Sequence, residues 1–275
     1  MYAAPCISSG SGSSGSGDNG SGGSGSENSE SEGTGSEYNF SPTEVGDYDI
    51  IATVSDDQGH TAKAKISIKA GYGTEHNEYD KIIAEAVKGT NIPPEVLKGL
   101  MHQESSFNPN AKSPIGAKGL CQLTKPAVTD VNRSYDPDII ISKEPINSTH
   151  PDWPNSIWNP EVNIKGGARF LQIKYNEFSD VIDILQNKDR TRFALGAYNG
   201  GPGYIKEARK MAKERGLSPT DWDSIVWIGE NEEVWVINPY TKKRTKWKEK
   251  ETIPYVDKII GRNGTMGGFA LKYDP

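Results

Sequence analysis

The sequence predicts a mainly α domain, preceded by a short β fragment and a disordered Ser/Gly-rich linker. Three observations predict it. Residues 7–36 are almost only Ser, Gly, Glu, Asn and Asp. Such a segment cannot bury enough apolar surface to offset its ordering entropy, so residues 1–37 read as a tether. Between residues 38 and 70 apolar and polar residues alternate, the period of a strand. From residue 76 onward apolar residues recur three and four apart, the period of a helix.

In the β fragment, Tyr48, Ile50, Ala52 and Val54 form one alternating run and Ala62, Ala64, Ile66 and Ile68 the next. Asp56 to His60 supply the turn between them. A lone hairpin is marginal in water. The fragment must therefore dock on the helical domain, pair with another chain, or be the remnant of a larger module.

In the helical part, Ile82, Ile83, Ala86 and Val87 make a stripe that Gly89 stops. Pro93-Pro94-Glu95 opens the next helix, with Pro in its first turn and an acid near the positive dipole end. Asn108-Pro109 is expected to end it. Residues 116–124 read as a tight turn into a short helix, and 134–158, rich in Pro, Asp, Asn and Ser, as a long loop. Helices are predicted over Ile164–Tyr175, around Val181–Leu185, over Thr191–Tyr198 and over Tyr204–Arg215, which Gly216 closes. Val234-Trp235-Val236-Ile237 and Thr245-Lys246-Trp247, around Asn238-Pro239, predict a β-hairpin inside the helical domain. Two roles stand for its tryptophans: stacking on sugar rings, or packing against the core.

The net charge of −6 is local. The first 73 residues carry ten acidic and three basic side chains, the remainder 27 and 28. The helical part is thus near neutral and lacks the clustered basic face of a nucleic-acid binder. No apolar run is long enough to span a bilayer. Met1 to Cys6 has no apolar core, so no signal sequence is visible. Two cysteines, Cys6 and Cys121, and four scattered histidines give no zinc spacing. Cys121 reads as a small buried hydrophobe.

The candidate catalytic group is Glu104. Leu97, Leu100, Met101 and Glu104 lie on one helical face, so the carboxyl points where apolar side chains go. Lost solvation raises its pKa, and a Glu protonated near neutral pH is a proton donor. A loop rich in turn-formers and small residues follows at once. Four blocks occur in order: Gln103-Glu104-Ser105-Ser106-Phe107-Asn108-Pro109; Ser113 to Leu123; Asn159-Pro160-Glu161-Val162-Asn163-Ile164 with Gly167, Ala168 and Leu171; and Ala197-Tyr198-Asn199-Gly200-Gly201-Pro202-Gly203. A weaker fifth is Glu251-Thr252 with Tyr255-Val256.

This series resembles the catalytic domain of SLT-type lytic transglycosylases and goose-type lysozymes, glycoside hydrolase family 23. Leu123-Thr124-Lys125-Pro126 and residues 217–223 resemble the membrane-bound lytic transglycosylase F branch. The β fragment resembles the end of a PKD or bacterial immunoglobulin-like sandwich, which needs about seven strands. The resemblance implies a lysozyme-like helical domain over residues 74–275, with 38–70 the partial sandwich. It implies that Glu104 cleaves the bond between N-acetylmuramic acid and N-acetylglucosamine, first as acid and then as base. Ser113, Gln122, Tyr198 and Asn199 are implied to contact the sugar. Glu251 is implied as a second, helping carboxylate, hydrogen-bonding Tyr198. No metal or organic cofactor is implied. The implied partner is peptidoglycan glycan strands in the bacterial cell envelope, with a further envelope partner for the β fragment. Two other functions stay open. One is hydrolysis of the same bond, with an acid such as Asp136 or Asp138 positioning water. The other is a non-catalytic wall-binding module.

Overall fold

The protein is described by a computed structural model. It describes residues 6–10, 30–34, 45–55, 58–72, 76–134, 141–142, 153–183, 188–238, 241–261 and 271–274. The chain divides into two compact units, Met1–Lys81 with Ala270–Pro275, and Ile82–Phe269.

The first unit holds one antiparallel sheet. β1 (Cys6–Gly10), β2 (Glu30–Thr34), β3 (Gly46–Ser55), β4 (Thr61–Tyr72) and β7 (Leu271–Asp274) lie in the order β2-β1-β3-β4-β7. The two alternating runs of the sequence are β3 and β4. Their register sets Tyr48 opposite Ile68, Ile50 opposite Ile66 and Ala52 opposite Ala64, so the apolar residues share one face. Tyr48, Ile68 and Ala70 are buried in a small cluster with Ile50, while Ile66 is 60% exposed.

Two expectations change here. Ten residues of the predicted tether are strands, β1 pairing with both β2 and β3. Ladder bonds use backbone N–H and C=O groups, so a Ser/Gly segment joins a sheet wherever an edge offers them. The rest of residues 1–37 lies outside the described residues. Among the described residues the fragment belongs to one antiparallel sheet. Its pairing partners come from its own chain. The predicted 74–275 domain gives up both ends, because β7 pairs with β4 from Lys69 to Tyr72.

The second unit is mainly helical. It is built from α1 (Asp80–Val87) from Ile82 onward, α2 (Pro94–Ser105), α3 (Lys125–Arg133), α4 (Pro160–Asn176), α5 (Asp189–Gly200), α6 (Pro202–Glu214), α7 (Trp222–Asn231) and α8 (Glu249–Ile259). The hairpin β5 (Trp235–Ile237) and β6 (Arg244–Lys246) sits between α7 and α8, as the sequence predicts. α5 touches α4, α6, α7 and α8, and is the central helix. Its sequence fits that place: Thr191, Phe193, Ala194, Leu195 and Ala197 are all buried, leaving little polar face. Phe193 stacks on Phe178 and meets the edge of Trp222.

Local signals set most helix ends. Gly89, at φ 70°, follows α1. Asn159 caps α4 by accepting from Glu161 N, and Pro160 takes the first position. Thr124 caps α3 in the same way, with Ala127 N as donor. The predicted helix at 181–185 does not start: Val181 to Asp183 are not helical, and 184–187 lie outside the described residues. Asp183 instead accepts from both the backbone N–H and the hydroxyl of Thr191, capping the first turn of α5.

Close packing around α5 depends on glycine. A Cβ on Gly196 would stand 2.8 Å from Trp222 and 3.1 Å from Ile205. Gly196→Ala is therefore expected to lower stability by about 1–3 kcal/mol through overpacking. Chemical denaturation checks it: the midpoint should fall with no change in slope.

Candidate active site

Glu104 stands in the last turn of α2, below the fully buried Leu97, Leu100 and Met101. The helix ends two residues earlier than Asn108-Pro109 suggests. Ser106 (φ 49°) and Phe107 (φ 59°) both adopt the left-handed backbone. That conformation is costly for non-glycine residues, and for a bulky one most of all. Buried Phe107, its ring 5.8 Å from that of His102, anchors the turn. The strained turn swings the chain back over the end of α2 beside Glu104.

The returning loop is held by side chains from three directions. Ser105 Oγ, next to Glu104, donates to Leu120 O at 2.8 Å. Tyr198 Oη, from α5, donates to Cys121 O at 2.7 Å. Asn163, buried in the first turns of α4, accepts from Cys121 N at 2.8 Å. Its amide donates to Lys118 O and Ile157 O at 3.0 and 2.8 Å. The contact is so close that a Cβ on Gly119 (φ 74°) would collide with Asn163 Nδ2, and one on Gly167 with Cys121 Sγ. Within the loop, Ser113 Oγ accepts from Ala117 N, and Gln122 Nε2 donates to Ala111 O and Gly119 O.

The electrostatics follow from this burial. Desolvation pushes the Glu104 carboxyl from 4.5 up to about 7, and the hydroxyl bond from Tyr255 pulls it partly back. Tyr255 Oη donates to Glu104 Oε1 at 2.7 Å; the other carboxyl oxygen has no protein partner among the described residues. Burial and the neighbouring Glu104 raise the Tyr255 phenol well above its usual value, so it stays a donor. The same two causes push the Cys121 thiol far up, and it is free and buried. It is a packing residue, not a nucleophile.

The structure thus brings Glu104, Gln122 and Tyr198 to one loop, through Cys121 and its neighbours. Ser113 belongs to the same loop, at its far turn. Asn199 follows Tyr198 on α5 and is exposed, its Oδ1 accepting from Thr252 Oγ1 at 3.0 Å. Glu251 is not brought in. It lies exposed in the first turn of α8, paired with Lys248 at 3.1 Å, while Tyr198 spends its hydroxyl on Cys121. The inward face of α8 carries Thr252, Tyr255, Val256 and Ile259, and the residue that reaches Glu104 is Tyr255. The motif blocks contain Tyr255 and Asn163, but the sequence alone assigned neither a role. The spacing of Thr252, Tyr255, Val256 and Ile259 was a usable signal, masked by Pro254 inside the helix. Of the hairpin tryptophans, Trp247 is buried. Trp235 is half-buried, with Arg244 4.7 Å over its ring and its indole N–H on Glu233. Among the described residues no group of His, Cys, Asp or Glu stands ready to hold a metal ion.

The raised Glu104 value makes stability depend on pH. Folding favours the protonated carboxyl, so its contribution is full below about 4.5 and is lost as pH rises through about 7. Above that, the ionised group lowers stability by roughly 3 kcal/mol. Glu104→Gln, neutral at every pH, should therefore melt higher than wild type at about pH 8, the gap closing toward about pH 4.5. Thermal denaturation of both proteins across this range checks it; a gap independent of pH contradicts it.

The chain is similar to several known proteins. Residues 81–219, just over half of the chain, match the family model described as the transglycosylase SLT domain. The chain is 31% identical over 171 residues to the membrane-bound lytic murein transglycosylase F of Shewanella pealeana, covering 59% of this chain and 29% of that protein. To the protein of the same name from Ectopseudomonas mendocina it is 33% identical over 145 residues, covering 52% and 25%. Among solved structures, it is similar to the 70 kDa soluble lytic transglycosylase of Escherichia coli, with a TM-score of 0.40 and 26% identity over 54% of this chain and 20% of that one. The chain spans less than a third of the length of these curated relatives. With the family model running from the start of α1 past the end of α6, the chain belongs to the transglycosylase SLT domain family.

Proposed function

We propose that the chain is a peptidoglycan lytic transglycosylase. It cleaves the β-1,4 bond between N-acetylmuramic acid and N-acetylglucosamine and leaves 1,6-anhydromuramoyl ends. The observation that carries this reading is the half-buried carboxyl of Glu104, raised to about 7 and bound on one oxygen by Tyr255. The names of its relatives, lytic murein transglycosylases, support the substrate class. Action on peptidoglycan sets the site of work in the bacterial cell envelope.

In this mechanism protonated Glu104 gives its proton to the glycosidic oxygen as the bond from C1 breaks. The carboxylate so formed takes the proton of the muramoyl 6-hydroxyl, whose oxygen closes on C1. Glu104 ends protonated again, and no water is consumed. The attacking hydroxyl is held by the same sugar that carries C1, so its effective concentration greatly exceeds that of water. Tyr255 favours the ionised carboxylate midway, while burial favours the acid at the start. Among the described residues no second carboxylate partners Glu104, and Glu251 is turned out to Lys248. Asp136 and Asp138, the acids expected to position water in a hydrolase, lie outside the described residues.

Mass spectrometry of purified peptidoglycan after digestion tests the reading. Wild type should release anhydromuramoyl ends; predominantly reducing ends would make it a hydrolase. Glu104→Gln should slow turnover by ~10²–10⁴, the worth of a general acid. Near-wild-type digestion by this variant would mean that Glu104 is not the acid.

Because the acid must start protonated, kcat/KM should fall as pH rises above about 7. Tyr255→Phe removes a bond that favours the ionised carboxylate, so this limb should move to higher pH. A limb that stays in place would show that Tyr255 does not tune Glu104.

A further inference from the structure

One buried hydroxyl outside the acid's own contacts has its hydrogen bonding fully determined. Thr252 on α8 is 1% exposed. Its Oγ1 lies 3.2 Å from the indole Nε1 of Trp247 and 3.0 Å from Asn199 Oδ1. An indole N–H is a donor only, so Thr252 must accept from Trp247. The hydroxyl keeps one proton, and its acceptor among the described residues is Asn199 Oδ1. A buried hydroxyl proton left unpaired is costly, which fixes the orientation of the Asn199 carboxamide. Its oxygen faces inward to Thr252. Its NH2 group faces outward on an exposed residue, with no protein partner among the described residues.

The packing supports a set position for this chain of bonds. Gly200 follows Asn199, and a Cβ there would stand 2.8 Å from Thr252 Oγ1 and 3.0 Å from Trp247 Nε1. Gly229 makes similar room for the Trp247 ring, at 2.9 Å. The hairpin end and α8 thus seat directly on the end of α5. One turn further along α8, Tyr255 holds Glu104. The same helix therefore orients the acid and, through Thr252, the residue after Tyr198.

We infer that Thr252 is a positioning residue: it locks Asn199 as an outward hydrogen-bond donor for an acceptor oxygen of the glycan. This inference rests on the glycan-binding part of the proposed function, not on the type of reaction. An amide that rotated freely would offer donor or acceptor. The Thr252 bond removes the acceptor, so a ligand presenting a donor there is rejected.

The test measures binding of soluble peptidoglycan glycan strands by calorimetry in the Glu104→Gln protein, where turnover does not interfere. Thr252→Val keeps shape but loses the hydroxyl, and should weaken binding about tenfold, the scale of one hydrogen bond. Thr252→Ser should restore it. Asn199→Ala should weaken binding to a similar extent, and adding Thr252→Val to it should have little further effect. Asn199→Asp, on an exposed residue, keeps the inward oxygen but replaces the outward donor with an oxygen, and should bind more weakly than Asn199→Ala. It serves where Thr252→Val fails to fold. With Glu104 restored, Thr252→Val should raise KM about tenfold, leaving kcat and the pH limb near 7 in place. Unchanged binding in Thr252→Val or Asn199→Asp, failure of Thr252→Ser to rescue, or additive losses in the double variant overturns the inference. Absence of any glycan binding overturns it as well. Reducing ends in the wild-type digest overturn only the reaction type.

Discussion

The site depends on holding one carboxyl in a place that penalises its charge. Glu104 continues the stripe of Leu97, Leu100 and Met101, and that seat raises its pKa to about 7. Full burial without a partner would leave a group too reluctant to ionise; full exposure would leave one too acidic to donate. Tyr255 sets the balance, since its hydroxyl bonds the carboxylate and cannot itself ionise near neutral pH. Burial favours the neutral form and the Tyr255 bond favours the ionised one, so the two act in opposite directions. The fold maintains a group that lowers its stability above neutral pH, as functional sites commonly do.

The loop after Glu104 shows how strain is kept in place. Two consecutive non-glycine residues, Ser106 and Phe107, hold left-handed backbone, and Gln122 does so at the far end. Such residues persist only where surroundings over-determine them. Here Phe107 is buried, and Ser105, Asn163 and Tyr198 bind the backbone of residues 118–121. Asn163 gives one donor hydrogen and its acceptor to this loop and its second donor hydrogen to Ile157 O, from a helix that Asn159 and Pro160 start. Without a Cβ at Gly119 and Gly167, the loop can lie directly on α4.

The hairpin and α8 complete the site from the opposite side. Trp247 is a core residue whose indole N–H selects the role of Thr252, and Thr252 selects the role of Asn199. This decides one of the two roles left for the hairpin aromatics: Trp247 packs. Trp235 has one face under Arg244.

The sequence by itself determined the parts that rest on local periodicity and turn chemistry. Alternation over 48–54 and 62–68 gave β3 and β4. The stripe through Met101 gave the direction of Glu104 and the sign of its pKa shift. The turn around Asn238 gave the hairpin. Only the tertiary structure decided which side chains meet across long separations. Tyr255 reaches Glu104 from 151 positions away, and Asn163 reaches Cys121 from 42. No local pattern encodes such pairs, since a hydrogen bond between helices depends on how both helices pack on α5. Glu251 misled for the same reason. Its neighbour in sequence, Thr252, points inward, and one residue of helix turns a side chain by about 100°. The strands β1, β2 and β7 were illegible because backbone pairing needs an edge, and that edge exists only once β3 and β4 have formed.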